Sequence, residues 1–127
     1  MNECYDALRF HDEERELFLE KLLNGKQKSR VKYLDCTLQM VLNDPSLLDD
    51  FSLLLQQVAC QMRVQPEQVL LMLNHCVYEV CFHEKKNELQ MKIFGNCDFV
   101  STISFLTDIV LYIYENYSFQ KTLRLHK

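Results

Sequence analysis

Apolar residues fall along this chain in blocks whose spacing changes character, and those changes set the predicted elements. After an acidic run at Asp12, Glu13, Glu14 and Glu16, the residues Leu17, Phe18, Leu22 and Leu23 recur at helical spacing until Asn24-Gly25 stops them. Acidic side chains favour a helix N-terminus and glycine its C-terminal cap, so a helix is predicted from Asp12 to Gly25. Residues 2–10 either extend it or form a short helix before it. Past a basic connector of Lys26, Lys28, Arg30 and Lys32, the positions Val31, Leu34, Leu38, Val41 and Leu42 mark a second amphipathic helix, ended by Asn43-Asp44-Pro45. Ser46, with Asp49 three residues on, matches a capping box for a third. Its broad apolar face is Leu47, Leu48, Phe51, Leu54, Leu55, Val58, Ala59 and Met62.

The pattern breaks at Arg63-Val64-Gln65-Pro66 for a tight turn, with Pro66 suited to a first helical position and Val64 placed to staple against Val69. A further helix is predicted to about His75. Beyond it the period becomes alternating: Tyr78, Val80 and Phe82, then Leu89, Met91 and Ile93 after the polar insert His83 to Glu88, which predicts a β-hairpin. Phe94-Gly95-Asn96-Cys97-Asp98 is the second strong breaker, and Asn96 or Asp98 can cap the next element. That element is a long apolar C-terminal helix over about 98–119, although its β-branched and aromatic content leaves a strand reading open. It is shorter than the roughly 20 apolar residues a membrane span needs and is interrupted by Asp108 and Glu115, so it is read as a core helix. Asp108 falls at helical spacing with Ser101, Ser104 and Glu115, which predicts an exposed stripe.

The order helix, helix, tight turn, helix, hairpin resembles a winged helix-turn-helix domain over about residues 30–94. In Gln57 to Met72, Ala59 matches the small residue where the two helices cross, Val64 the apolar turn residue, and Val69 and Met72 the inward positions; Arg63 stands where a turn glycine is usual. The resemblance implies that the hairpin from Tyr78 to Phe94 is the wing. The fold class expected is therefore mainly α with minor β: one domain over 1–127, with a helix-turn-helix-like centre, one β-hairpin and the long apolar C-terminal helix. A second resemblance is local. Phe94-Gly95-Asn96 ahead of an apolar helix resembles the central signature of viral cell-death regulators, and departs from it in lacking the Trp and Arg expected after Asn.

Composition narrows function more than fold. With 48% hydrophobic and 25% charged residues over 127 positions, the chain has globular rather than disordered character. A net charge of -4 works against a general polyanion binder, because phosphate affinity comes mainly from Lys and Arg displacing counterions. The helix after Pro66, which would read DNA bases in a winged-helix protein, carries no Lys or Arg before Cys76 and has Leu70, Leu71 and Leu73 where a groove-facing surface would be polar. Six cysteines spaced without a CxxC, behind a polar and acidic start that is read as no targeting segment, predict reduced thiols in a cytosolic or nuclear protein.

Motifs for catalysis are missing: GxSxG, HExxH and a phosphate-cradling glycine loop have no counterpart, and two glycines leave little for a backbone-lined anion site. His75, Cys76, Cys81 and His83, with Cys97 brought near by a hairpin, are the densest group of potential ligands. Their spacing is not that of paired zinc ligands on tight turns. No enzyme, cofactor, metal, membrane or small-molecule ligand is therefore expected.

The expected function is a non-enzymatic interaction module, a small subunit or adaptor binding another protein or a second copy of itself through apolar helix surface. Candidate contacts are Leu70, Leu71 and Leu73, or the aromatic set Tyr112, Tyr114, Tyr117 and Phe119. The alternative is a winged-helix nucleic-acid binder using Lys26, Lys28, Arg30, Lys32, Lys85 and Lys86.

Overall fold

Helix α1, Asp12–Leu22, ends where the sequence stops its pattern, in a two-residue left-handed turn. Asn24 (φ 59°) and Gly25 (φ 67°) turn back so that the Gly25 N–H reaches the Glu20 carbonyl at 2.6 Å and the Asn24 N–H the Lys21 carbonyl at 3.3 Å. This is the Schellman closure, which satisfies carbonyls the helix leaves open. The computed structural model describes residues 12–25, 28–82, 85–95 and 100–118.

Helix α2, Lys28–Asn43, buries Val31, Leu34, Thr37, Leu38 and Val41 along one face, the predicted stripe with one hydroxyl added and with Leu42 only half-buried. Thr37 is tolerated there because its Oγ1 donates to the Tyr33 carbonyl at 2.8 Å. A 3-10 turn, Pro45–Asp49, comes next, and helix α3, Phe51–Met62, begins only after it. The expected Ser46 capping box is replaced by two aspartate caps. The Asp44 carboxylate accepts from the Ser46 N–H (3.2 Å) and hydroxyl (2.6 Å), and the Asp50 carboxylate accepts from the Leu53 N–H at 3.2 Å. Aspartate is as good a cap as serine and here lies one residue ahead of each element.

The turn from α3 into helix α4, Pro66–Cys81, lies where it was predicted, though Met72, expected to face inward, is only half-buried and Leu73 beside it is core. Ala59 and Val69 are buried, and Val64 is half-buried against the core. Arg63 takes the left-handed position usually given to glycine (φ 60°), with the Val64 N–H closing on the Ala59 carbonyl at 3.0 Å.

The β-hairpin is corrected. Helix α4 continues through Tyr78 and Val80 to Cys81, and helix α5, Glu88–Phe94, occupies the second predicted strand; no strand occurs among the described residues. Without a wing, the winged-helix assignment falls. The alternation at 78, 80 and 82 was a partial view of a helical pattern: Val77, Val80 and Cys81 face inward with Val69, Leu73 and Cys76, while Tyr78 and Phe82 face out. Helix α5 is nucleated by a capping box. The Asn87 side chain accepts from the Gln90 N–H at 2.8 Å and the Gln90 side chain accepts from the Asn87 N–H at 2.9 Å.

The C-terminal helix is also shorter than expected. Helix α6 spans Thr102–Ile113, capped by Ser101 accepting from the Ser104 N–H at 3.1 Å, and widens into a π turn at Tyr114–Ser118. Asn96 and Asp98, the expected caps, lie outside the described residues. Its buried face is apolar, while Ile103 and Leu111 lie exposed on other sides. Phe105, Leu106, Ile109, Val110 and Ile113 are buried, Ser101, Ser104 and Glu115 are exposed, and Asp108 is half-buried.

Helix α2 is the hub of the bundle, touching α1, α3, α4 and α6, while α5 bridges α1 and α6. Phe94 of α5 stacks on the fully buried Phe105 of α6, ring centroids 5.1 Å apart and planes nearly parallel at 4°. Among the described residues, ion pairs cross between helices from Arg15 of α1 to Asp35 of α2 and from Arg30 of α2 to Glu79 of α4 at 3.3 Å. No helix of the described residues is long and apolar enough to cross a membrane.

Candidate protein-docking surface

Helix α4 is built to hold a straight outer face. Pro66 presets the first helical φ, Glu67 places a carboxylate in the first turn where the helix dipole favours it, and 16 residues run on without a glycine. The inward face locks the helix into the core through six buried side chains. Asn74 ties it to the start of α6, its Oδ1 accepting from the Thr102 hydroxyl at 2.6 Å. Glu79 ties it to the start of α2 through Arg30, and the Cys76 thiol donates to the Arg30 carbonyl at 3.8 Å. Burial pushes the Cys76 thiol up to about 12, against the lowering effect of Arg30 and with a further rise from Glu79, so it is a packed thiol rather than a nucleophile.

The outward face carries Leu71, Tyr78 and Phe82 at 48%, 68% and 48% exposure. With the exposed His75 between them they lie at spacings of four, three and four, within about 60° of one another around the helix at 100° per residue. The Tyr78 and Phe82 rings stack on each other, centroids 5.2 Å apart. Pairing with each other still leaves Tyr78 mostly and Phe82 about half exposed to water, an apolar strip of the kind that marks interaction surfaces.

The other candidate contacts divide. Leu73 is fully buried and belongs to the core, as its inward position on α4 requires, and Leu70 is half-buried. Only Leu71 of that trio is exposed. Tyr112 is half-buried and stacks on Phe18 at 5.9 Å, and Tyr114 is half-buried against the core. The Tyr117 side chain and Phe119 lie outside the described residues. Tyr78 and Phe82, which sequence reasoning placed on a strand, are exposed candidates it did not name. The signal was present in Leu71, His75, Tyr78 and Phe82 at helical spacing, masked by the alternation of Tyr78, Val80 and Phe82.

The basic candidates do not form one positive surface. Arg30 is turned to Glu79. Lys28 and Lys32 are exposed but share a shallow depression with Glu16, Glu20 and Asp35. Lys85 is exposed and Lys86 half-buried in the connection between α4 and α5, with no wing to present them; Lys26 lies outside the described residues. The potential zinc ligands are also dispersed. Cys76 and Cys81 face the core, His75 faces solvent, and His83 and Cys97 lie outside the described residues. Among the described residues no group of three or more His, Cys, Asp or Glu side chains is arranged to hold a metal ion.

A broad groove of about 850 Å³ runs between α1 and α5, with Leu17, Phe18, Leu89 and Tyr112 among its apolar lining and Glu14, Glu20, Lys21, Glu88 and Lys92 around them. Lys92 there pairs with Glu88 at 3.5 Å, one turn away on α5. The groove is wide and mixed in charge, and presents no convergent polar groups of the sort that orient a small ligand. Compared with known protein families, curated proteins and solved structures, the chain matches none.

Proposed function

We propose that the protein is a non-enzymatic helical interaction module that binds another protein through the outward face of α4. The supporting observation is the strip of Leu71 and Tyr78 on α4 with Phe82 at its C-cap, three large apolar side chains about half or more exposed. Aromatic side chains on such a face supply large contact area at low cost in rotamer entropy, which is why they recur as interface anchors. The free thiols of Cys36, Cys60, Cys76 and Cys81 accord with a reducing compartment, cytosol or nucleus. Parallel affinity captures from native extract, with the wild-type chain and with the Leu71→Asp/Tyr78→Asp variant as baits, test the reading. A partner held by the wild type and lost by an equally folded variant supports it. Recovery of the same proteins by both, or of none by the wild type, removes it.

A further inference from the structure

We propose that Asn24 is a self-modification site, deamidated by attack of the Gly25 amide nitrogen, and that the joint between α1 and α5 sets how fast this occurs. The inference goes beyond the docking reading and does not depend on the α4 face. Asn24-Gly25 is the sole Asn-Gly step in the chain. Glycine lacks the Cβ that otherwise crowds its own nitrogen and restricts its backbone, which makes this the step most open to cyclisation. Among the described residues, no heavy atom beyond its chain neighbours lies within 4 Å of where a Cβ on Gly25 would stand, and both residues are exposed to water. In the reaction the Gly25 nitrogen gives its proton to a solvent base and bonds to Asn24 Cγ, while the Cγ–Nδ2 bond breaks and Nδ2 leaves as ammonia. Water then opens the resulting succinimide at either carbonyl, leaving aspartate or isoaspartate at position 24. The net change consumes water and releases ammonia.

The fold holds both reacting groups in other bonds. The Gly25 N–H is committed to the Glu20 carbonyl at 2.6 Å, with Asn24 itself left-handed at φ 59°. Asn24 Oδ1 accepts from Asn87 Nδ2 at 2.9 Å, and the same Nδ2 donates to the Lys21 carbonyl at 2.7 Å. The side-chain amide is thus turned toward the start of α5, while the nitrogen that must attack it is turned back into α1. Cyclisation requires the two to be released together, so its rate follows the opening of the joint. Helix α5 is suited to such opening, being seven residues long and held by its caps and by α1 and α6. The two products leave different joints. Aspartate at position 24 still offers Asn87 an acceptor, although its charge lies at a helix C-terminus, where the dipole disfavours it. Isoaspartate adds a methylene to the main chain between residues 24 and 25, which displaces the Gly25 N–H from Glu20 and leaves the joint loose. Asn24 and Asn87 both line the groove between α1 and α5, so this modification reshapes that groove.

Ageing the purified full chain at mildly alkaline pH, followed by trypsin digestion and mass spectrometry of residues 22–26, is the test. Chromatography separates the aspartate and isoaspartate forms, and a synthetic peptide of residues 18–30 gives the unrestrained rate. The wild type is expected to react about tenfold or more slowly than the peptide, with isoaspartate among its products. Asn87→Ser keeps an oxygen to cap the Gln90 N–H and removes the donor to Lys21 and Asn24, so it is expected to react about tenfold faster than the wild type. Gln90→Met frees the Leu22 carbonyl of the same joint and is expected to accelerate the same site. Thermal melts establish that each variant is folded, and either folded variant decides alone. Should neither fold, the comparison of wild type with peptide decides. A wild-type rate equal to that of the peptide overturns the proposal, as does a folded variant no faster than the wild type. Failure of the wild type to form isoaspartate at position 24 after many half-lives of the peptide overturns it too.

Discussion

The Gln90 side chain joins two helix ends that are far apart in the chain: its Nε2 donates to the Leu22 carbonyl at 2.7 Å, across 68 positions, while its Oε1 accepts from the Asn87 N–H at 2.9 Å. Asn87 works in the same way, accepting from the Gln90 N–H and donating through Nδ2 to the Lys21 carbonyl at 2.7 Å and to Asn24 Oδ1 at 2.9 Å. One capping box therefore starts α5 and finishes α1. Carbonyls at a helix C-terminus have no partner within the helix, and at Leu22 that partner is a side chain with no solvent exposure.

Replacing Gln90 by methionine keeps the volume and removes both bonds, leaving the Leu22 carbonyl and the Asn87 N–H to lose their side-chain partner. A loss of about 2–3 kcal/mol is expected in urea denaturation. Gln90→Glu distinguishes the donor from the acceptor. A carboxylate can accept from Asn87 but cannot donate to Leu22, whereas the protonated acid can do both. Its folded pKa is thus raised above the ordinary value of about 4.3, so the variant comes closest to wild type in acid and falls behind as pH rises through that folded value.

Arg63 holds a left-handed conformation, φ 60°, at the end of α3. An L side chain with a Cβ is disfavoured there and glycine is not, while glycine carries an entropic cost of its own. Arg63→Gly is expected to raise stability by about 0.5–1 kcal/mol, read as a higher melting temperature with an unchanged circular dichroism spectrum.

Thiol labelling should order the cysteines by environment. Among the four cysteines of the described residues, Cys60 is exposed and is expected to react first with iodoacetamide. Cys36 reacts more slowly, its thiol raised by burial and by the neighbouring Asp35. Cys76 and Cys81 are buried and should react only as the chain unfolds. Peptide mapping over a time course checks the order, and early labelling of Cys76 contradicts the packing of α4 against α2.

Burial holds the Asp108 carboxyl above its ordinary value of 3.8. A carboxyl with a raised folded pKa favours the native state most while protonated, and that contribution is lost as pH rises from 3.8 through the folded value. Asp108→Asn is therefore expected to be more stable than wild type at neutral pH, with the difference vanishing in strong acid. Paired thermal melts across that range read the sign.

Much of the helix register was legible because it depends on local chemistry. The inward positions Leu34, Leu38 and Val41, the stop at Asn24-Gly25, Pro66 at a helix start and the turn at Arg63 all derive from periodicity and cap preferences acting over a few residues. The exposed positions Ser101, Ser104 and Glu115 were readable for the same reason, whereas Asp108, expected among them, is half-buried. The second half of α4 was not, because Tyr78, Val80 and Phe82 satisfy an alternating pattern and a helical one at once in so short a window. Such a segment is settled by the surface it packs on, and Val77, Val80 and Cys81 complete the inward face begun at Val69. The Asn87–Gln90 box was equally local, yet it lay inside residues that read as a hairpin and went unused.

The sequence alone, then, determined a mainly helical chain, most of its inward residues and most of its stops, since these are set by interactions between near neighbours. Only the tertiary structure decided that the wing is two helices, that Leu73 is core while Leu71 is surface, and that Tyr78 and Phe82 face solvent. A helix of this length carries apolar residues on more than one side, and periodicity cannot say which side its neighbours will cover. Here α2, α3 and α6 pack against α4, and the strip they leave is the one on which the proposed function rests.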